Sequence, residues 1–254
     1  ARPKALVYRD PVNLEFSTQD SDQHEAWLIK FPAQQEHPEV CAIEAVYAEC
    51  LRLCAIETPD THFFNLPNGL TAFASKRFDR QNGMRIPMQS LAAYTGADYK
   101  VPGSLDYRNF LRATLMCTQD VRERLHAFKR AVFNVLFNNR DDHTKNFSFL
   151  MEKNGQWKLA PAYDVTFCEG PGGYHQMDIM GEALNISRND IHKLGTSEAN
   201  LTTLEVDEII LTMREIALQF SQIAQRLYPH QIRESTLQMI QSRIQQNIDF
   251  LTET

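Results

Sequence analysis

Short stretches rich in β-forming residues dominate the hydrophobic pattern in the first third of the chain. They run from Lys4 to Arg9, from Asn13 to Ser17 and from Glu25 to Phe31. The pair Asp10-Pro11 separates the first two stretches and is typical of a turn. The pattern therefore predicts a small antiparallel meander of strands at the start of the chain.

The next segment has the period of a helix rather than of a strand. Pro38 is tolerated in a first helical turn, and Glu39 suits the positive end of the helix dipole. Apolar residues then recur at helical spacing, at Ala42, Ala45, Val46, Cys50, Leu51 and Cys54. We predict an α-helix from Glu39 to Ala55.

Two further extended stretches follow this helix, His62 to Leu66 and Leu70 to Phe78. Pro67, Asn68 and Gly69 join them, and an Asn-Gly step favours a tight hairpin turn. With the earlier strands they complete a predicted sheet of about five strands.

Helical periodicity dominates the chain from Met88 onward. A short hairpin interrupts it, with Phe147 to Met151 and Trp157 to Leu159 as its strands. Ser104 and Asp106 are both suited to cap the first helix. The predicted helices run from Tyr107 to Cys117, Val121 to Asn138, Arg188 to Leu194, Thr203 to Tyr228 and Gln231 to Thr252.

This order of elements, strands first and helices later, predicts an α+β fold. We expect a small antiparallel-sheet lobe at residues 1–80 and a larger helical lobe at residues 81–254. A chain of 254 residues is long enough for two modest lobes.

Charge and cysteine content narrow the classes of function. The formal charge of -6 argues against a surface that coats nucleic-acid phosphates. No apolar run approaches the roughly 18 residues of a membrane span, so we expect no membrane partner and a cytoplasmic location. The five cysteines are scattered and favour neither a disulfide framework nor a zinc site. Because the chain opens at Ala1, we expect a segment before it to have been removed or left out.

A dense polar loop, residues 139–146, lies between a predicted helix and the hairpin. Asp141 precedes Asn146 by five positions, the interval between the Asp and Asn of a kinase catalytic loop. There, one residue accepts the proton of an attacking hydroxyl and the other holds a metal ion beside the phosphates. Asp164 follows the hairpin, where kinases place an Asp that binds magnesium. Carboxylate and amide oxygens are ligands that magnesium accepts.

Other interpretations of this loop stay open. Asp142 is adjacent and equally acidic, so it competes for the catalytic role, although the spacing favours Asp141. A loop rich in Asp and Asn can also consist of turn and capping residues alone. His143 is either a hydrogen-bonding residue at a helix end or a ligand of nucleotide phosphates.

Three features of the small lobe match nucleotide-binding parts of kinases. Lys30 ends an apolar strand, as the phosphate-binding lysine of kinases does, but an exposed strand position would look the same. Glu44, with Glu49 as its competitor, is placed on the first helix to form an ion pair with Lys30. The run from Lys76 to Arg80 is either a hinge under adenine or a solvated strand end.

Taken together, these motifs resemble the HipA-like serine/threonine kinases, the toxin components of bacterial toxin–antitoxin pairs. They recur in order over residues 1 to about 200, which makes a chance match improbable. The motifs are Ala1-Arg2-Pro3-Lys4-Ala5, Lys30, Lys76-Arg77-Phe78-Asp79-Arg80, Asp141-Asp142-His143-Thr144-Lys145-Asn146-Phe147-Ser148 and Leu159-Ala160-Pro161-Ala162-Tyr163-Asp164-Val165.

The resemblance implies a protein-kinase-like bilobal fold and the use of ATP with Mg²⁺. It implies Asp141 as the proton acceptor, and Asn146 and Asp164 as the magnesium ligands. Lys30 would bind a phosphate, with Glu44 orienting it. The other residues implied in cofactor binding are Lys4, His143 and Tyr163, together with Lys76, Arg77 and Phe78 as the hinge under adenine.

The resemblance also implies partners. Family members are similar in phosphorylating a bacterial protein, such as an aminoacyl-tRNA synthetase, and in halting growth. They bind a small helix-turn-helix antitoxin of the HipB type, so contact with DNA is expected only through that antitoxin. The family's glycine- and serine-rich phosphate loop would stand just before the A-R-P-K motif, with an N-terminal subdomain further upstream. We expect these parts to be trimmed, disordered or supplied by a partner. A kinase-shaped module that binds an antitoxin without catalysis is a competing function, and a small-molecule phosphotransferase is a more distant one.

Overall fold

The computed structural model describes residues 2–19 and 23–252 and places ten strands and eight α-helices in them. Ala1, residues 20–22 and residues 253–254 lie outside the described part, and with them one residue of the A-R-P-K motif and the ends of the expected lobe ranges 1–80 and 81–254. The strands are β1 (Lys4–Arg9), β2 (Phe16–Ser17), β3 (Glu25–Lys30), β4 (Thr61–Asn65), β5 (Thr71–Lys76), β6 (Arg80–Gln81), β7 (Met84–Arg85), β8 (Met88–Ser90), β9 (Ser148–Met151) and β10 (Trp157–Leu159). The helices are α1 (Glu39–Leu53), α2 (Leu91–Thr95), α3 (Tyr107–Thr118), α4 (Val121–Leu136), α5 (Arg188–Glu198), α6 (Thr203–Leu218), α7 (Phe220–Leu227) and α8 (Glu234–Thr252).

The N-terminal sheet has five strands in the order β2-β1-β3-β5-β4, and all neighbours are antiparallel. The expected meander is wrong, because β1 rather than β2 lies between the other two early strands. Trp27 and Ile29 of β3 are buried and need a neighbour on each side, which β1 and β5 provide. The short, half-buried β2 is left at the edge.

β2 is shorter than the predicted strand, which began at Asn13. The side chains of Asp10 and Asn13 accept hydrogen bonds from the backbone N–H groups of Val12 and Glu15 at 2.8 and 2.9 Å. Such local bonds compete with sheet pairing and favour turns. Leu14 adopts a left-handed φ of 65°, so this segment turns instead of extending.

The two faces of the sheet bury different groups, as the period of two in a strand requires. One face carries a small apolar cluster of Val7, Trp27, Ile29, Ala72 and Ala74. The other face carries Phe73, which packs against Cys41, Ala45 and Ala48 of α1. This packing lays α1 across the sheet beside β5.

Contacts with the C-terminal half hold α1 at its first turn and near its middle. Glu39, at the first turn, is 3% exposed and accepts hydrogen bonds from Arg233 and Thr236. Further along, the Tyr47 hydroxyl donates to the carbonyl of Phe137 at 2.5 Å. The helix ends at Leu53, two residues before the predicted end, because Ala55 has a left-handed φ of 53°.

The C-terminal part is mainly helical, so the predicted α+β class is confirmed. Of the two proposed caps of α3, Asp106 accepts from the backbone N–H of Asn109 at 2.6 Å, while Ser104 donates to Asp98 instead. The strands β6, β7 and β8 and helix α2 were not predicted, since segments of two to five residues show no period. β8 pairs with β9 in a sheet of order β10-β9-β8.

The predicted helix from Thr203 to Tyr228 is wrong as a single element. It breaks at Gln219 into α6 and α7, and the break directs the fully buried Phe220 onto Tyr47 with ring centroids 5.4 Å apart. Helix α5 passes its predicted end at Leu194 and continues through Gly195. A Cβ at Gly195 would lie 2.4 Å from Val206 of α6, so glycine allows these two helices to approach closely.

Candidate functional site

The polar loop between α4 and β9 runs beside the segment that follows β10. The backbone N–H of Cys168 donates to the carbonyl of Asn138 at 3.1 Å, and the N–H of Arg140 donates to the carbonyl of Cys168 at 3.2 Å. These two bonds hold the loop that carries Asp141 against the segment that carries Asp164. Residues 23 positions apart in the chain are thereby brought to one place.

The adjacent carboxylates of Asp141 and Asp142 lie in opposite environments. The Asp142 side chain is 0% exposed and accepts from the Tyr107 hydroxyl at 2.8 Å and from the backbone of Gln176 at 2.7 Å. It also lies 2.8 Å from Nδ1 of His175. The Asp141 side chain is 47% exposed. Of the two, Asp141 is therefore the one that a substrate can reach.

Two side chains approach the carboxylate of Asp141. Nε2 of Gln176 donates to Oδ1 at 2.8 Å, and Nε2 of His143 lies 3.8 Å from the same oxygen. Partial burial raises the pKa of Asp141, and the nearby charges of Asp164 and Asp142 act in the same direction, while His143 and Gln176 oppose them.

The backbone of Asp141 orients the side chain of Asn146. Its Nδ2 donates to the backbone carbonyl of Asp141 at 2.8 Å, and in the described part of the chain no hydrogen bond reaches its amide oxygen. His143 begins the short 3₁₀ turn Thr144–Asn146 but makes no side-chain capping bond, so the helix-end role considered for it is not observed.

Lys30 lies between two carboxylates. Its Nζ is 2.5 Å from Oε1 of Glu44 and 2.5 Å from Oδ1 of Asp164. Burial disfavours the ammonium, but the two carboxylates outweigh it and raise the pKa of Lys30. Arg2 binds the other oxygen of Glu44 at 3.2 Å. Glu49, the competing candidate, pairs instead with Arg52 at 3.0 Å.

Asp164 adopts a left-handed backbone φ of 57°. This conformation costs a non-glycine residue about 1 kcal/mol, and Asp tolerates it better than most. Burial alone would raise the pKa of Asp164, but Lys30 outweighs it, with help from Lys4 and His143, and lowers it. A left-handed backbone together with an ionised carboxylate beside a cleft marks a candidate functional residue.

Tyr163 holds the segment before Asp164 in place. Its hydroxyl donates to the carbonyl of Lys145 at 2.7 Å and lies 2.6 Å from Oγ of Ser148. Burial raises the pKa of Tyr163 to about 12. Its ring lies 5.5 Å from that of Phe78, so it connects the catalytic loop to the proposed hinge.

A cavity of about 390 Å³ opens between the sheet and the helical part, and Lys30 and Asp164 are among the residues that line it. Ligand pockets typically occupy roughly 300–1,000 Å³. Apolar side chains form part of its lining. The sequence did not predict them as site residues, because they come from four elements that meet only after folding. They include Leu28, Ala48, Leu51, Phe73 and Met88, and Lys4, Tyr163 and the hinge residues Lys76–Phe78 complete the wall.

The charges of the proposed hinge are paired with one another and with the sheet. Lys76 forms an ion pair with Glu25, and Arg77 pairs with Asp79 at 2.6 Å. Lys76, Arg77 and Phe78 line the cavity, and the side-chain charges of the first two are already paired. A larger cavity of about 740 Å³ lies against the hinge and the β9–β10 hairpin, but neither Lys30, Asp141 nor Asp164 lines it.

Two oxygen donors in or beside the 390 Å³ cavity are of the kinds that magnesium accepts. Asp164 lines this cavity and offers a carboxylate. Asn146 lines a small neighbouring cavity, which shares Ala162 and Val165 with the first, and offers an amide oxygen. Within residues 2–19 and 23–252, no group of three or more His, Cys, Asp or Glu side chains could hold a metal. Magnesium commonly takes only one or two protein ligands together with substrate phosphates, so the pair fits this ion.

Solved structures share this fold. The structure of the Shewanella oneidensis MR-1 toxin–antitoxin system HipA, HipB and operator DNA matches with a TM-score of 0.74 and 17% identity, over 98% of this chain and 63% of that one. The Helicobacter pylori proinflammatory kinase CtkA matches with a TM-score of 0.58 and 14% identity, over 89% of this chain and 85% of that one. The predicted kinase-like, two-lobed fold is thereby confirmed.

Sequence comparison identifies the family. A Haemophilus influenzae protein named "Putative kinase" is 25% identical over 167 residues, which are 57% of this chain and 46% of the relative. The chain thus spans about half the length of that relative. None of the helices in residues 2–19 and 23–252 is long and apolar enough to cross a membrane. The family model of the HipA-like C-terminal domain matches residues 1–226, and the chain belongs to this family.

Proposed function

We propose that this protein is an ATP-dependent serine/threonine protein kinase. The observation that carries the proposal is the position of Lys30, held between Glu44 and Asp164 in the wall of the 390 Å³ cavity. Kinases need such a lysine, its glutamate and an acidic metal ligand in one place. The accessible carboxylate of Asp141 lies on the adjoining loop.

The cavity would bind ATP with adenine against the apolar wall and the backbone of residues 76–78. Lys30 would bind the phosphates, with Glu44 fixing its direction, and Lys4 and His143 would also lie near the phosphates. Asn146 and Asp164 would hold magnesium, whose contribution when bound is to neutralise charge on the phosphates.

Asp141 would accept the proton of a serine or threonine hydroxyl. The hydroxyl oxygen forms a bond to the γ-phosphorus as the bond from that phosphorus to the β,γ-bridging oxygen breaks, and ADP leaves with the electron pair. Burial raises the pKa of Asp141, which makes its carboxylate a stronger base, and this suits a proton acceptor. Positioning and charge neutralisation would supply most of the catalysis.

The partners proposed for this chain are those that the family resemblance implies. We propose that this chain acts as the toxin of a toxin–antitoxin pair, binds a HipB-type antitoxin and meets operator DNA only through it. Support comes from the Shewanella complex, which contains HipA, HipB and operator DNA. We further propose that the target is a bacterial protein such as an aminoacyl-tRNA synthetase, and that the lobes divide at residues 1–80 and 81–254.

A phosphate-transfer assay tests the proposed function. The complete natural protein is incubated with magnesium and γ-labelled ATP, and label on serine or threonine is measured. We expect Asp141→Ala to abolish the label, whereas Asp249→Ala, an exposed aspartate on α8, leaves it unchanged. Equal labelling by wild type and Asp141→Ala contradicts the assignment. Absence of nucleotide binding by the wild type would favour the module that binds an antitoxin without catalysis.

A further inference from the structure

One short segment outside the catalytic loop contacts both of its aspartates. His175 and the backbone N–H of Gln176 hold the buried carboxylate of Asp142 at 2.8 and 2.7 Å. The side-chain amide of the same Gln176 donates to Oδ1 of Asp141 at 2.8 Å. The main chain of this segment therefore secures Asp142, while one side chain reaches Asp141.

The segment itself is firmly placed. The carbonyl of Gln176 accepts from the backbone N–H of Gly103 at 2.8 Å, and the carbonyl of Asp178 accepts from the N–H of Tyr107 at 3.0 Å. His175 is buried, and its N–H donates to the carbonyl of Ala183 at 2.8 Å. The amide of Gln176 thus extends toward Asp141 from a rigid support.

The two carboxylate oxygens of Asp141 differ in their contacts. Both of the side chains that approach it, Gln176 and His143, approach Oδ1. Within the described residues, no hydrogen bond reaches Oδ2. A half-exposed carboxylate with no fixed partner rotates freely, and one bond to Oδ1 is enough to give Oδ2 a single direction.

We propose that Gln176 is a positioning residue for phosphate transfer, which holds Oδ1 of Asp141 so that Oδ2 faces the substrate hydroxyl. The proposal rests on the proposed function, because it takes Asp141 as the proton acceptor. A glutamine suits this task, since its neutral amide orients a carboxylate without forming an ion pair. A lysine or arginine at this position would stabilise the charged carboxylate and weaken it as a base.

Two substitutions at Gln176 separate orientation from packing. Gln176→Ala keeps both backbone bonds, to Asp142 and to Gly103, and removes only the bond to Asp141. Gln176→Glu keeps the shape of the side chain but replaces the donor with a repelling carboxylate. A packing role predicts that the isosteric glutamate variant is the milder one, whereas the positioning role predicts the reverse order.

The test measures the kcat of phosphate transfer and the KM for ATP, using the complete natural protein with magnesium. We expect kcat to fall about tenfold in Gln176→Ala and further in Gln176→Glu, with the KM for ATP within about twofold of wild type. Gln156→Ala, an exposed glutamine in the β9–β10 turn, serves as the matched control and should not change kcat.

Three results would overturn the inference. The first is a wild-type kcat in Gln176→Ala, and the second is a smaller loss in Gln176→Glu than in Gln176→Ala. In both cases the proposed function stands if phosphate transfer by wild type is still faster than by Asp141→Ala. The third is a wild type no faster than Asp141→Ala, which overturns the proposed function and this inference with it.

Discussion

The ammonium of Lys30 lies 2.5 Å from the carboxylate of Asp164, although 134 positions separate the two residues. Lys30 ends β3 in the sheet, and Asp164 follows the β9–β10 hairpin on the other side of the cleft. Glu44 of α1 binds the same ammonium at 2.5 Å. This contact joins the two sides of the cavity at the point where the phosphates of ATP would lie.

Replacement of Lys30 tests this junction. Lys30→Met keeps an unbranched side chain of similar length but removes the charge between Glu44 and Asp164. We expect kcat/KM for phosphate transfer to fall by about a hundredfold, because the phosphates lose a charge-assisted donor. The measurement is initial-rate kinetics with ATP and magnesium. Lys153→Met, at an exposed turn, is the matched control and should leave the rate unchanged.

Substitutions of the two neighbouring aspartates should differ in their effect on stability. Asp142→Ala removes a fully buried acceptor from Tyr107, His175 and Gln176, and we expect it to lower the free energy of unfolding by about 3 kcal/mol. Asp141→Ala should change it by less than about 1 kcal/mol, because that side chain is half exposed. Urea unfolding measures both.

The reverse pattern, with Asp141→Ala the more destabilised variant, would contradict the structural role assigned to Asp142. If Asp142→Ala does not fold, Asp142→Asn provides the same comparison with a neutral acceptor in place.

Glu39, at the first turn of α1, should make the free energy of unfolding depend on pH. Burial opposes ionisation of Glu39, but hydrogen bonds from Arg233 and Thr236 outweigh it and lower its pKa below the ordinary 4.5. A lowered pKa in the folded state stabilises the protein above pH 4.5, and the stabilisation is lost as pH falls through the lowered value. We therefore expect Glu39→Gln to be less stable than wild type at pH 7, with a difference that shrinks below pH 4.5.

Glu49→Gln is the control for this experiment, since it lies on the same helix. Its surface ion pair with Arg52 contributes less than about 1 kcal/mol. Thermal unfolding across a pH series measures both variants. A difference between wild type and Glu39→Gln that stays constant from pH 7 to pH 3 would rule out this role for the Glu39 carboxylate.

The apolar wall of the cavity provides a test of nucleotide binding. Leu28 faces the cavity from β3, and its cross-strand partner Leu6 is 57% exposed and does not line it. Leu28→Ala should weaken binding of a non-hydrolysable ATP analogue by about 1 kcal/mol, or roughly fivefold, because less apolar surface is buried against adenine. Leu6→Ala should not change it. Calorimetry that shows equal losses would place adenine elsewhere.

The sequence predicted those parts of the site that depend on local spacing. Asp141 and Asn146 share one loop, so the interval of five between them could be read directly. Lys30 and Glu44 lie 14 positions apart on a strand and the helix that covers it, and the structure places them in contact. The strand and helix patterns around them were strong enough to predict most element boundaries within two residues.

The parts that were missed depend on contacts between distant segments. Nothing near Gln176 in the sequence indicates that its amide reaches Asp141, 35 positions earlier, or that His175 binds Asp142. The break at Gln219 was missed because apolar residues continue at helical spacing through it, and the packing of Phe220 on Tyr47 decides the direction of α7. The meander failed for the same reason, since pairing partners are chosen by burial of the whole sheet.

Transfer of the γ-phosphoryl group in a single turnover tests the central claim most directly. The complete natural protein is mixed with magnesium and ATP, and the phosphorylated residue is identified by mass spectrometry in wild type and in Asp141→Asn. We predict phosphoserine or phosphothreonine in the wild type alone. The same phosphorylated residue formed at the same rate by Asp141→Asn would contradict the account.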